Sequence, residues 1–594
     1  MFTIRLVTET YAPSRTVVLR WGPNWKLDRG GVYTDGAWTF DLDETQFPDG
    51  IDFKLVLVPG VWEGGPNRHL DAEACIGTVD VDEHAVNFPP RDALTTERGV
   101  VPQLFFPRNL DPGHVYDVLI VGSGMGGGLL ASRLADAGAD VLVLEAGSYL
   151  FPTHVGNLPR RLEIGRFDKH VWSLWPDFKV TNYVNAPGSE FAGAQAFNLG
   201  GRSVFWGGLI PRQAAWELEA WPSSVRDYLL GGGYDRAEAE LNRVAPEPTA
   251  YQDSSRAGLE AAMPGFVAED APLAIAYRGA TAWSIPTGLF STADDLMEDR
   301  LVDDTGHRAP VVNLNTAVWR VTTDPTNASR VNGVEGWDML AQERRTYAAR
   351  TVVLAAGTIE SAKIALASRL VDPRALIGRG ITDHTIRYRH FTLPPGAPRA
   401  SQTDSAKVLL RHPDASPGQH AFDVVVELGA EFNQGRYVDP ANLARERAER
   451  AGWMLCELVF MSWTALDEAN VLTIGPDPVD LANLTMHRTG PSDSDRAEAD
   501  ALAKSLFAAI GAEPVLGEDG LGLQDAPLGG VAHEVGTLRM SDDGTGVVDD
   551  TLRFLAYDNL YACDNSVFPT SPAANPSLTL AALALRLRDR LVAG

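Results

Sequence analysis

The sequence predicts an α/β fold (α+β overall) that follows a small all-β module at the N-terminus. Three observations support this prediction. The 594 residues are too many for one hydrophobic core, because a domain usually takes about 100–200 residues. Residues 1–90 are patterned as short strands separated by turns. From Asp117 onward, buried strands alternate with helices.

The first 90 residues have the pattern of a β-sandwich. Hydrophobic and polar residues alternate in WTFDLD (38–43) and in IDFKLVLV (51–58), as they do in half-buried strands. Turn sequences such as Pro48-Asp49-Gly50 separate these strands. The pattern predicts an all-β, immunoglobulin-like sandwich over residues 1–90, and the proline-rich residues 91–114 predict an extended linker.

The composition argues against several classes of function. With 51 Lys+Arg against 78 Asp+Glu, the net charge is −27, which argues against a nucleic-acid partner and against adsorption to anionic membranes. Cys75, Cys456 and Cys563 lie far apart, so they predict neither a metal site nor a redox pair and suit a reducing compartment. Neither a secretory signal nor a run of about 18 apolar residues is visible, so we expect a cytoplasmic protein without a membrane anchor.

A glycine-rich turn after Asp117 carries the strongest local signal. In YDVLIVGSGMGGG a short apolar strand ends at Gly122, and Gly124 and Gly127 complete the Gly-x-Gly-x-x-Gly spacing. The first glycine permits a tight turn, the second lets backbone approach a pyrophosphate, and the third lets the following helix pack on the strand. Glu145 closes the next strand 21 residues after Gly124, where it can accept a hydrogen bond from a ribose hydroxyl. These residues predict a Rossmann-like dinucleotide-binding domain.

Two further segments are predicted to reach the same cofactor. The glycine-dense loop NLGGRSVFWGGLIPR (198–212) suits a backbone wrapped on a flat ligand, since an ordinary surface loop accounts poorly for its bulky apolar residues. Residues 349–366 form a strand, an Ala-Ala-Gly turn and a helix, and the strand NTAVWRV before them can touch an adenine through its main chain. The candidate cofactor residues of these segments are Gly200, Gly201, Ser203, Trp206, Gly207, Val318, Ala356 and Gly357. The residues alone do not distinguish FAD from NAD, but the absence of a second fingerprint in so long a chain favours a tightly held flavin.

Candidate catalytic residues lie near the C-terminus. HEVGTLRM (533–540) offers His533 ahead of a Gly-Thr turn, and Asn575-Pro576 begins an apolar helix. Histidine suits proton removal near neutral pH, and asparagine can hydrogen-bond a substrate hydroxyl without competing for that proton. A lone histidine is more often a surface or core residue, and Asn before Pro is more often a turn or a helix cap, so spacing alone leaves both interpretations open.

Six motifs together resemble the glucose-methanol-choline (GMC) oxidoreductase family, over about residues 115–594. They are the Gly122–Gly127 turn with Glu145, GGRSVFWGG, VVLAAGTIESAKIAL, GRGITDH (378–384), HEVGTLRM and SPAANPSLT. Within the family, the sequence is most similar to the branch that contains pyranose 2-oxidase and bacterial sugar or glycoside oxidases. The resemblance implies an FAD-binding domain over 115–384 with interleaved substrate-domain segments, a mainly substrate-binding, sheet-based domain over 385–490, and a C-terminal catalytic segment over 491–594.

The resemblance also implies a reaction and a set of roles. His533 would be the general base for an alcohol, Asn575 would hold the reacting oxygen, and the carbinol hydride would pass to flavin N5. Asp564, Asn575 and Pro576 would join the cofactor-binding residues. One position departs from the branch, in which a histidine of the glycine-rich loop links covalently to the flavin. The matching residue here is Phe205, which cannot form that bond, so we expect non-covalent FAD.

The N-terminal module resembles the starch- and glycogen-binding carbohydrate modules over about residues 10–75, through GPNWKLDRG, DGAWTFDL, DFKLVLV and VWEGGPNRHL. By that match Trp25 and Trp62 would be stacking platforms for sugar rings, with Lys54 as a flanking donor. The alternative is that the tryptophans fill the sandwich core and the module only braces the oxidoreductase or mediates assembly.

The resulting expectation is an FAD-dependent alcohol oxidase or dehydrogenase acting on a sugar, a glycoside or a sugar-bearing natural product. Its partners would be that small molecule and oxygen or another electron acceptor, with no metal, nucleic acid or membrane, and with the choice between monomer and homo-oligomer open. Two alternatives remain at this stage. One is the same chemistry on a steroid or other non-sugar alcohol, and the other is a carbohydrate-binding scaffold with a vestigial flavin domain.

Overall fold

A computed structural model describes residues 1–8, 16–23, 25, 28–58, 61–63, 66–82, 86, 110–158, 183–189, 191–193, 195–242, 249–275, 288–301, 308–341, 343–429, 440–475 and 482–593. Residues 91–109 of the predicted linker lie outside these ranges. Within the described ranges, no helix combines the length and the apolar character needed to cross a membrane.

The N-terminal region consists of two β-sheets that share one hydrophobic core. Its strands are β1 (Phe2–Val7), β2 (Val17–Trp21), β3 (Asp28–Gly30), β4 (Val32–Thr34), β5 (Ala37–Leu42), β6 (Ile51–Leu57), β7 (Val61–Trp62), β8 (Arg68–Leu70) and β9 (Gly77–Asp82). One sheet has the order β4-β5-β1-β9, and the other has the order β3-β2-β6-β7 with β8 beside β6. Ile4 and Phe40 from the first sheet join Leu19, Phe53 and Leu55 from the second in a single buried cluster. The strands predicted at 38–43 and 51–58 are confirmed, and the immunoglobulin-like topology stays a prediction.

The next part of the chain builds a mixed sheet with helices against it. Its elements are β10 (Val115–Val121), α1 (Met125–Asp136), β11 (Val141–Leu144), β12 (Val184–Asn185), α2 (Ser223–Tyr228), α3 (Tyr234–Glu240), α4 (Ala250–Ala262), β13 (Val267–Asp270), α5 (Thr292–Leu301), β14 (Val311–Asn313), β15 (Thr316–Asp324), β16 (Asn327–Asp338), β17 (Glu343–Leu354) and α6 (Thr358–Ala367). The sheet order is β14-β11-β10-β17-β16-β15, and β14, β11, β10 and β17 run parallel. The unit β10–α1–β11 confirms the Rossmann-like strand, turn and helix.

The remaining chain forms a second sheet and returns to the first. Its elements are β18 (Ile386–Leu393), β19 (Ala406–Arg411), β20 (Phe422–Leu428), α7 (Pro440–Glu449), β21 (Met454–Ser462), β22 (Thr464–Ala465), β23 (Val471–Thr473), β24 (Asn483–Thr485), α8 (Asp493–Ile510), β25 (Glu513–Pro514), β26 (Gln524–Asp525), β27 (Leu560–Ala562), β28 (Thr570–Ser571) and α9 (Ser577–Ala593). Strand β27 extends the first sheet by pairing parallel with β17, and α9 packs on α1.

The second sheet is antiparallel and has the order β13-β19-β20-β21-β18-β25. Its strands β18 to β21 confirm the sheet predicted after residue 385. The edge strand β13 comes from far earlier in the chain, so this sheet is interleaved with the nucleotide-binding segments. Alternate residues face opposite sides of a strand, and here one face packs on α4 and α8 while the other carries Tyr388, Leu409 and Val425 in a separate apolar cluster.

Candidate functional site

A large cavity lies at the carboxyl ends of the parallel strands of the first sheet. Gly122 follows β10, Glu145 follows β11, Ala356 follows β17 and Asp564 follows β27, and all four line the cavity. Ligands of open α/β sheets bind at this edge. The predicted site residues that line this cavity are Gly122, Gly124, Glu145, Gly201, Ser203, Trp206, Val318, Ala356, Gly357, His533, Asp564 and Pro576.

The glycine turn after β10 has the shape that a pyrophosphate needs. Gly122 has φ +100°, and a Cβ placed there would lie 2.4 Å from the carbonyl oxygen of Ala355. A Cβ on Gly127 would lie 2.2 Å from the carbonyl oxygen of Gly122, which keeps α1 close to the strand. A Cβ on Gly124 would meet no atom within 4 Å, so the second glycine leaves open space on the cavity side. Gly124 caps α1 without a side chain, so the helix N-terminus presents backbone N–H groups to an anion.

Glu145 holds this turn and keeps acceptor capacity. Its Oε2 accepts hydrogen bonds from the Ser123 hydroxyl at 2.6 Å and the Ser123 N–H at 3.1 Å, and its Oε1 accepts from the Gly147 N–H at 2.8 Å. A carboxylate offers about four acceptor positions, so a ribose hydroxyl can still bind. The residues after β10 and β11 therefore fit a dinucleotide.

The loop at 198–208 is fixed by contacts outside the cavity. The Ser203 hydroxyl donates to the carbonyl of Gly200 at 2.6 Å, and the Trp206 indole N–H donates to the carbonyl of Phe290 at 2.7 Å. A Cβ on Gly200 would lie 2.9 Å from the Cβ of Ala293, so this glycine permits close packing behind the loop. Four predicted residues do not line the cavity themselves: Gly127, Gly200, Gly207 and Asn575.

Asp564 joins two of the turns around the cavity. It accepts hydrogen bonds from the Gly357 N–H at 3.0 Å and from the Ser566 N–H at 2.9 Å, and it also accepts from the Ser361 hydroxyl. Burial raises the pKa of this carboxyl. The turn after β17 and the turn after β27 are thereby held at a fixed separation, as a rigid cofactor site requires.

His533 is paired with a second histidine that spacing did not single out. The Nδ1 of His533 lies 2.8 Å from the Nε2 of His384, and the Nδ1 of His384 lies 2.7 Å from the carbonyl oxygen of Pro572. A carbonyl only accepts, so His384 carries its proton on Nδ1 and accepts on Nε2. His533 then donates from Nδ1, so the neutral form of its ring has no proton on Nε2. Burial lowers the pKa of His384 to about 4, which keeps this residue neutral near pH 7.

The segment that carries His533 is tied to the glycine-dense loop. Glu534, next in the chain, forms an ion pair with Arg202 at 2.7 Å, and the Glu534 side chain is 2% exposed. Arg202 also lines the cavity. The Thr537 hydroxyl donates to the carbonyl of Thr358 at 2.6 Å, so His533 is also anchored to the start of α6. These contacts fix the histidine against the cavity wall.

Asn575 lies beside the cavity on a loop that Glu217 supports. The Oε1 of Glu217 accepts from the N–H groups of Ala573 at 2.8 Å and Ala574 at 3.3 Å. Burial raises the pKa of Glu217. Among the described residues, the buried Oδ1 of Asn575 has no hydrogen-bond partner. Pro576, the next residue, lines the cavity, so Asn575 stands at its edge.

Phe205 occupies the loop position at which the resemblance would place a covalent flavin link. It lines the cavity, is buried, and packs edge-on against Phe151 with ring centroids 5.7 Å apart. A benzyl side chain offers no nucleophile. The non-covalent cofactor therefore stays the prediction at this position.

Acid precipitation tests the cofactor linkage. We expect the yellow colour to pass wholly into the supernatant, because Phe205 cannot bond to the flavin. The measurement is the flavin absorbance of pellet and supernatant after centrifugation. A yellow pellet that survives washing in denaturant would contradict the prediction.

The candidate glycan residues of the N-terminal module lie outside its core. Trp25 and Trp62 are half-buried and pack against each other, with ring centroids 6.2 Å apart. The Lys54 ammonium donates to the carbonyl of Glu63 at 2.9 Å, and the guanidinium of Arg20 lies 4.9 Å from the Trp62 ring. Neither tryptophan belongs to the cluster between the two sheets, so the idea that they fill the sandwich core is wrong.

Sequence reasoning missed His384, Arg202 and Glu217 as site residues. His384 ends GRGITDH and Arg202 lies within GGRSVFWGG, two of the motifs that carried the family resemblance. His384 lies 149 positions from its partner His533, and Arg202 lies 332 positions from its partner Glu534. No rule of sequence spacing links residues so far apart. Glu217 carries no sequence signal, because its role depends on a contact with a loop 356 residues later.

Two family models and several known proteins match the chain. The model of the GMC oxidoreductase family matches residues 499–584, and that of an NAD(P)-binding Rossmann-like domain matches residues 120–154. A 2-methyl-1,2-propanediol dehydrogenase from Mycolicibacterium austroafricanum is 24% identical over 80% of this chain and 94% of its own. A paromamine 6'-oxidase from Streptomyces fradiae is 25% identical over 82% of this chain and 96% of its own. A C-glycoside 3-oxidase from Microbacterium trichothecenolyticum is 25% identical over 79% of this chain and 95% of its own.

Solved structures share the fold. A formate oxidase from Aspergillus oryzae superposes with a TM-score of 0.57 at 15% identity, covering 82% of this chain and 99% of its own. A pyridoxine 4-oxidase from Mesorbium loti superposes with a TM-score of 0.56 at 19% identity, covering 80% of this chain and 99% of its own. The GMC family model thus matches the C-terminal part of the chain, and the protein is an FAD-dependent enzyme that acts on CH–OH donors.

Proposed function

We propose that the protein oxidises a CH–OH group of a sugar, a glycoside or a sugar-bearing natural product to a carbonyl, with His533 as the base. The observation that carries this proposal is the chain of hydrogen bonds from His533 through His384 to the carbonyl of Pro572. That chain selects the tautomer in which a neutral, cavity-lining His533 has no proton on Nε2, as a general base requires.

The proton transfer follows from this arrangement. The Nε2 of His533 takes the hydroxyl proton, and Asn575 at the edge of the cavity holds the oxygen. FAD, when bound, supplies the two-electron acceptor for the carbinol hydride. The imidazolium that forms on His533 keeps its Nδ1–H bond to the neutral Nε2 of His384. Because His384 stays neutral, it accepts this bond without placing a second positive charge beside the base.

The cofactor residues have separate tasks in this proposal. The turn at Gly122 and Gly124 and the N-terminus of α1 bind the pyrophosphate, and Glu145 accepts from a ribose hydroxyl. Val318 borders the adenine end of the cavity. Asp564, with its carboxylate fixed by Gly357 and Ser566, faces the cavity from the opposite turn and can accept from a further cofactor hydroxyl.

The cavity lining supports a substrate with both apolar and polar parts. Val531 lines the cavity and packs on the apolar cluster that contains Tyr388 and Leu409. Polar side chains such as Gln195 and Arg202 line the same cavity. A sugar ring presents apolar C–H surface and a hydroxyl edge, and relatives named for paromamine and C-glycosides agree with that class.

A non-sugar alcohol is the second candidate, and the apolar cluster behind Val531 favours it. Relatives named for 2-methyl-1,2-propanediol and for long-chain alcohols agree with this alternative. Anaerobic bleaching of the flavin against a panel of glycosides, aminoglycosides, diols, sterols and long-chain alcohols separates the two. We expect the fastest bleaching with a sugar-bearing donor. A colourless protein that FAD cannot reconstitute would instead favour the carbohydrate-binding scaffold.

His384 is expected to act as a positioning residue for His533. We expect His384→Ala to lower kcat roughly 10- to 100-fold, less than loss of the base itself, because the tautomer and orientation of His533 are no longer fixed. His384→Gln should recover much of the rate, since an amide oxygen can accept from Nδ1 of His533. The measurement is kcat, KM and flavin content of both variants. Equal losses in the two, or a loss explained by missing flavin, would contradict this role.

A further inference from the structure

The outer face of the second sheet of the N-terminal module is buried around Val18 and Val56. Leu19 and Leu55 point into the core between the two sheets. Val18 and Val56, their neighbours in sequence, point to the other side of the strands and are 1% and 0% exposed. Val58 and Trp62 of the same module cover this part of the face, and segments of the oxidoreductase lie beside the sheet.

The outer face also carries a buried ion pair. Arg20 and Asp28 form a salt bridge in which their side chains are 3% and 0% exposed. Charges are removed from water only at a cost, which a fixed, closely packed surface offsets through geometry and hydrogen bonds. The half-buried Trp62 lies over Arg20 and packs on Val18 and Val56. This is the face on which a glycan-binding platform would have to be open.

The second sheet of the module borders the cofactor cavity. Thr16, Leu57 and Val58 line the same cavity as Gly122 and Glu145. Strand β3 also contacts β12 of the oxidoreductase. The module therefore closes part of the cavity wall.

The wall of this cavity is aromatic beside Val318. Trp319 and Trp337 line the cavity beside Val318, the residue placed at the adenine end, and Met339 adjoins them. The guanidinium of Arg320 lies 4.5 Å from the Trp319 ring, which stiffens this wall. Indole rings and aliphatic side chains together suit the flat face of a purine.

We propose that the N-terminal module is a cover for the adenine end of the bound FAD, made by its second sheet, and that it slows release of the cofactor. The module acts on cofactor retention and takes no part in proton removal. In this proposal, the face of the module that the sequence predicted to bind glycans packs against the oxidoreductase part of the same chain. This proposal rests on FAD binding and does not depend on His533 or on the identity of the alcohol.

Release of FAD from the full-length holoenzyme tests the proposal. Val58→Glu places a charge in the cavity wall, and Val32→Glu is the matched control, because Val32 is 65% exposed on the other sheet of the same module. After dilution, the rise of free flavin fluorescence gives the release rate. We expect Val58→Glu to release FAD about tenfold faster than the wild type and Val32→Glu to match the wild type. Equal release rates in all three proteins would overturn the proposal.

Hydrogen exchange provides a second measurement that needs no variant. In the wild-type protein, adding FAD to the apoenzyme should slow amide exchange in β6 (Ile51–Leu57) by at least about tenfold, and leave β4 (Val32–Thr34) unchanged. No protection of β6 by FAD would refute the cover. Retardation of the holoenzyme by soluble starch, abolished by Trp62→Ala, would show an open glycan face and would also refute it.

Discussion

Replacement of His533 by alanine is expected to slow anaerobic flavin reduction by about 10²–10⁴-fold, because that is the usual contribution of a positioned general base. The effect should fall on the chemical step. His533 lines the cavity, and the hydrogen bonds from Ser123 to Glu145 and from Gly357 to Asp564, which hold the glycine turns, do not involve its ring. Flavin content and the flavin spectrum of the variant should therefore match the wild type. The measurement is the single-exponential rate of absorbance loss after rapid mixing with a saturating donor.

His69→Ala is a suitable control for the His533 variant. The His69 side chain is 53% exposed on the N-terminal module and pairs with Asp52, away from the cavity. It should reduce flavin at the wild-type rate. A His533→Ala enzyme within threefold of wild type, with full flavin occupancy, would remove His533 from the mechanism and leave the fold assignment intact.

Replacement of Gly122 by alanine is expected to abolish stable FAD binding, with at least about a hundredfold loss of affinity. Two effects add. A non-glycine residue at φ +100° is strained by about 1–2 kcal/mol, and the new Cβ would lie 2.4 Å from the carbonyl oxygen of Ala355. The carbonyl belongs to the turn after β17, so relief of the clash displaces a second wall of the site. The ratio of flavin to protein after purification measures the loss.

Two glycine variants separate strain from the loss of cofactor space. Gly36→Ala has a comparable positive φ of +78° but no atom within 4 Å of the new Cβ, so it should bind FAD normally. The new Cβ of Gly124→Ala meets no atom of the described residues either, but Gly124 lines the cavity where the proposed function places the pyrophosphate. This variant should fold with wild-type stability as apoenzyme and bind FAD weakly. Full flavin occupancy in Gly124→Ala would contradict the placement of the pyrophosphate.

The nucleotide-binding half of the site was predictable because its determinants are local. Gly122, Gly124 and Glu145 belong to one strand–turn–helix–strand unit, in which sequence spacing fixes spatial order. The structure places Gly122 and Glu145 after neighbouring parallel strands, as that unit requires. Asp564 entered only through the family resemblance, and His533 was a candidate whose role the resemblance supplied, since their distance along the chain from this unit hides their position.

The parts that the sequence could not predict depend on contacts between distant segments. Nothing in the residues around His384 indicates that its ring stands between His533 and the carbonyl of Pro572. The alternation in residues 51–58, which form β6, predicted one buried face and one open face. The structure also buries Val18 and Val56 on the face expected to be open. Alternation along a strand predicts which residues form the module's own core, but it does not predict what packs on the opposite face.

A single-turnover reaction tests the central claim most directly. Wild-type holoenzyme is mixed without oxygen with the best donor of the panel, and both bleached flavin and carbonyl product are quantified. The proposed function predicts one carbonyl formed per flavin reduced. In His533→Ala, neither flavin bleaching nor carbonyl formation should be seen within the time that the wild-type reaction takes. Bleaching without a carbonyl product, or equal yields and rates in the two proteins, would contradict it.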